Sequence, residues 1–73
     1  MQPLTTKELD YLTDSMSNED LLIKQCVAAA TQATNPAVRN TCMQLAQRHQ
    51  QHYQTLMQTI VSHTQLAPTT QMQ

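Results

Sequence analysis

Apolar residues recur along the first half of the chain in alternating steps of three and four: Leu9, Leu12, Met16, Ile23, Cys26, Ala30 and Ala33, with Glu19 in the slot between Met16 and Ile23. This spacing places all eight positions on one stripe of an α-helix and predicts a helix over residues 6–33. Thr5 followed three residues later by Glu8 has the spacing of a capping box, which sets the helix start and leaves residues 1–5 as a short arm. Ser17 and Asp20 have the same spacing, so a break near residues 15–18, giving two shorter helices, is the alternative.

Asn35-Pro36 is the clearest boundary. The residue before proline is driven out of the α region, asparagine caps helices well, and proline suits the first helical position. A second helix is therefore expected over residues 36–63, with the stripe Val38, Cys42, Leu45, His49, His52, Leu56 and Ile60 again in threes and fours. Residues 64–73, TQLAPTTQMQ, contain Pro68 and little to bury, and read as a flexible polar tail. A turn at 34–36 is short enough to force the helices antiparallel, as an αα-hairpin. Two helices cannot enclose a core, and 73 residues bury little apolar surface. The expected fold is accordingly all-α: an antiparallel two-helix hairpin that completes a four-helix bundle by dimerising with a second copy of itself.

Composition narrows the function classes. Four Lys or Arg stand against five Asp or Glu, with no basic stripe for nucleic acid and no polybasic anchor for a membrane. No apolar run approaches the roughly 18–20 residues of a membrane span. The opening residues lack the features of a secretory signal, so a cytoplasmic protein is the default expectation. The absence of glycine, tryptophan and phenylalanine removes phosphate-cradling loops and base-stacking platforms. Cys26 and Cys42 have no zinc-ribbon or CxxC spacing and read as free thiols that pack as small apolar residues. Neither has a histidine at its expected height, and no Ser-His-Asp set is readable. No catalytic residue and no organic cofactor is assigned, and an enzyme is not expected.

The stretch RHQQHYQTL, from Arg48 to Leu56, concentrates the candidate chemistry. In an antiparallel pair, residues equidistant from the turn share a height. Glu19 lies sixteen residues before Asn35, while His49 and His52 lie fourteen and seventeen after it, so all three are expected at one level. A carboxylate facing two imidazoles spaced i, i+3 is the donor set of a transition-metal site between bundle helices. The plainer reading is a polar cluster that fixes helix register. Di-iron bundles use Glu-x-x-His, whereas this helix reads His49-Gln50-Gln51-His52, which shifts any metal from oxygen-rich iron toward zinc, copper or a single iron. Tyr53 and Tyr11 are expected to be packing residues, with a redox tyrosine as the alternative at Tyr53; His63 is expected at the rim. The many glutamines of the second helix solubilise an exposed face without charge; the sharper reading, with Lys7 and Lys24, is enzymatic cross-linking.

Glu19 with Leu21-Leu22, the run Ala28 to Ala30, and Thr34-Asn35-Pro36-Ala37-Val38-Arg39 ahead of a histidine-containing helix resemble the small coat F-like spore coat proteins of endospore-forming bacteria. The resemblance spans roughly residues 6–60. It departs from the family at Ala37, where glutamate is common. It implies a ferritin-like hairpin and a non-catalytic component made in the cytoplasm and assembled with other coat proteins into the spore coat. It also implies that Glu19 occupies the place of the ferritin-like first-helix carboxylate. The competing function is a ferritin-like metal-binding or redox protein using Glu19, His49 and His52.

Overall fold

A computed structural model describes residues 3–66, with side chains to residue 63. Two helices, α1 (Thr6–Gln32) and α2 (Pro36–Leu66), pack against each other as an antiparallel hairpin. α1 begins at a complete capping box. The Glu8 amide donates to Thr5 Oγ1 at 3.0 Å and the Thr5 amide donates to Glu8 Oε1 at 2.9 Å. α1 then runs unbroken through residues 15–18, so the capping-like pair Ser17 and Asp20 does not start a new helix. Asp20 instead pairs with Lys24 one turn on, at 2.9 Å.

The connection is resolved by side chains in the Asn35-Pro36-Ala37-Val38-Arg39 stretch. Asn35 Oδ1 accepts from the Ala37 amide at 2.8 Å and the Val38 amide at 3.4 Å, capping α2. Arg39 reaches back so that its Nη2 donates to the Ala33 carbonyl at 2.8 Å, satisfying an acceptor at the end of α1, whose last turn has no basic residue of its own. α2 continues to Leu66, three residues past the expected end, so residues 64–66 are helical and not part of a tail. The rest of the expected tail, 67–73, lies outside the described residues, as do the first two residues of the arm.

The α1 seam is the one the pattern predicts: Leu9, Leu12, Met16, Glu19, Ile23, Cys26, Ala30 and Ala33 are all at least half-withdrawn from solvent relative to their neighbours. The α2 seam is not. It runs Cys42, Ala46, His49, Tyr53, Leu56, Ile60 and His63 in alternating fours and threes, while Val38, Leu45 and His52 stand exposed. Small Ala46 permits close helix approach, and bulkier Leu45 is displaced to the flank. Only Ala30 and Ala46 are buried among the described residues.

Candidate functional site

Glu19 projects from the middle of α1 into the seam, between the positions of Met16 and Ile23, with its side chain 18% exposed. Its carboxylate is shared by two imidazoles of α2. His49 Nδ1 lies 2.7 Å from Oε2 and His52 Nδ1 lies 3.3 Å from Oε1. Each carboxylate oxygen therefore accepts from one ring N–H, and the rings meet edge to face with centroids 5.7 Å apart. The sequence placed these three residues at one level, and the structure brings all three together. It differs on their burial: His49 occupies the seam, whereas His52 sits on the flank with half its side chain in solvent. One candidate donor atom from each residue lies within 4.8 Å of the others. Among the described residues no lysine or arginine pairs with Glu19, and no buried side-chain nitrogen or oxygen lacks a partner.

Helical phase separates two flanks of the hairpin. Asp20, Ile23, Gln50 and Tyr53 line a shallow cleft on one of them. Tyr53 is half-buried there as a packing residue, and Tyr11, expected to pack likewise, is 59% exposed on the outer surface. His52 falls on the opposite flank with Leu45 and Val38, seven and fourteen residues before it, and with Leu22 of α1. Cys26 and Cys42 are free thiols, half-buried in the seam.

One contact escaped the sequence reading. The Leu4 amide donates to His63 Nδ1 at 2.8 Å, folding the arm before α1 against the last turns of α2. His63 is thus a latch with Nδ1 as acceptor, the reverse of the role that atom plays in His49 and His52. Its place on the α2 stripe was the available signal, and an acceptor for a backbone amide 59 positions away leaves no local pattern.

Comparison with known proteins bears on what this hairpin is. The sequence model of the Coat F domain matches residues 7–68. The chain belongs to the Coat F family. It is a spore coat component, and its family is a structural one. No curated protein is significantly similar to this Coat F chain, and no solved structure is either. The matched span includes both helices almost entire, the capped Asn35-Pro36 turn and the Glu19, His49 and His52 cluster. Among the described residues, no helix of the Coat F chain is long and apolar enough to cross a membrane.

Proposed function

We propose that this Coat F protein acts as a structural building block of the spore coat, made in the cytoplasm, working as a homodimer whose two hairpins form a ferritin-like four-helix bundle that packs with other coat proteins. The supporting observation is the missing core. Among the described residues only Ala30 and Ala46 are buried, and Leu22, Val38 and Leu45 are among the uncovered apolar side chains.

The Leu22, Val38 and Leu45 flank is the favoured interface because those three apolar side chains stand exposed together, with Arg48 at the outer edge, whereas the opposite flank carries Asp20, its partner Lys24 close by, and Gln50. A second copy docked there covers apolar surface on both chains through a two-fold contact. Thermal unfolding tests this reading. The melting temperature should rise with chain concentration, and Leu45→Glu should lower it and remove that dependence. A concentration-independent melt of a fully helical parent chain would contradict it.

A further inference from the structure

We propose that Glu19, His49 and His52 form a binding site for a borderline divalent transition metal of the zinc class, which clamps α1 to α2 at mid-hairpin. Three observations carry this inference. Donor atoms from two helices lie within 4.8 Å of one another, so a shift of about 1 Å brings them to the roughly 3.3–3.6 Å that separates tetrahedral ligands at about 2.0–2.2 Å from one ion. The two imidazoles rise from successive turns of α2 and turn the same atom, Nδ1, toward the same carboxylate, at 2.7 and 3.3 Å. Glu19 stands in an apolar seam, 18% exposed, with no lysine or arginine beside it among the described residues.

The chemistry is simple to balance. In the metal-free arrangement each Nδ1–H donates to a carboxylate oxygen. On binding, each neutral imidazole moves its proton to Nε2, and the two Nδ1 lone pairs and one carboxylate oxygen become ligands. No redox change is involved. Two nitrogens and one oxygen favour Zn²⁺ or Cu²⁺ over Mg²⁺ and Ca²⁺, which need six or more oxygen ligands or retain water. Three protein ligands leave a position for water. The half-exposed His52, seventeen residues from Asn35, lies farther from the turn than Leu22, Leu45 and Val38, so that position opens beyond the proposed dimer contact and the same opening gives the ion its way in.

Such an ion would tie together two helices in which, among the described residues, only Ala30 and Ala46 are fully buried, so its binding energy would appear directly as stability. The test uses the full-length chain without an affinity tag, stripped of metal, with melting followed by circular dichroism. Zn²⁺ about a hundredfold above its Kd should raise the melting temperature on the order of 10 °C, while Mg²⁺ and Ca²⁺ should not. His52→Ala, at a half-exposed position that tolerates truncation, should abolish the gain. Glu19→Gln should do so as well, and His63→Ala, outside the cluster, should keep it. Equilibrium dialysis should show one zinc per chain in the parent and none in His52→Ala. No bound zinc in the parent would overturn the proposal. So would a gain that survives His52→Ala but vanishes in Cys42→Ser, since that places the metal on the thiols.

Discussion

Asn35, Pro36 and Arg39 join the helices by three separate means. Asn35 caps α2, Pro36 occupies a first-turn position that needs no amide donor, and Arg39 supplies α1 with the positive charge its last turn lacks. Arg39→Ala should cost about 1 kcal/mol, read as a lower urea midpoint with an unchanged slope; Arg39→Lys should restore part of it, because a single ammonium donor can still reach a carbonyl. At the other end of α1, hydrogen bonds from the Thr5 amide and hydroxyl region hold the Glu8 carboxyl below its ordinary value. A depressed carboxylate contributes stability that is present above the unfolded pKa and is lost as pH falls through the folded one. Stability should therefore decline below about pH 4, and Glu8→Gln should show a shallower decline over that range. At the arm, His63→Ala should leave the Leu4 amide without its acceptor, so amide exchange at Leu4 should become as fast as in an unstructured peptide.

At the scale of the element, the two helices differ in how much their sequences disclose. The three-four stripe of α1 is the observed seam, with Leu21, Leu22 and Val27 left outside it. α2 offers apolar or half-apolar residues on adjacent positions, Leu45 beside Ala46 and His52 beside Tyr53, so its stripe can be drawn in either of two phases. Reading by hydropathy selects Leu45. The packed pair selects Ala46, because the smallest side chain lets two helix axes approach most closely. The pattern of α2 thus records two surfaces, one against α1 and one facing outward, and a single-stripe reading merges them. Ala46→Leu should be destabilising by about 1–3 kcal/mol through overpacking, measurable as a reduced urea midpoint. The Glu19, His49 and His52 cluster was legible despite the phase error, because height along the hairpin depends only on distance from Asn35, not on helix rotation. Rotation decides burial instead, and that is where His52 departs from expectation.

The described hairpin is a rod of 54 × 17 × 16 Å with a radius of gyration of 16.4 Å, against about 11 Å for a compact domain of this length. A hairpin with this shape gains little from burial within one chain, and it belongs to a spore coat family, in keeping with the proposal that other coat proteins pack on its outer faces. The central claim is that the first neighbour is a second copy, seated on Leu22, Val38 and Leu45. Sedimentation equilibrium of the metal-free chain at micromolar concentration tests it most directly. The account predicts a mass about twice the 8.3 kDa of one chain, reduced to the single-chain value by Leu45→Glu. A stable, fully helical parent chain sedimenting at 8.3 kDa would contradict it.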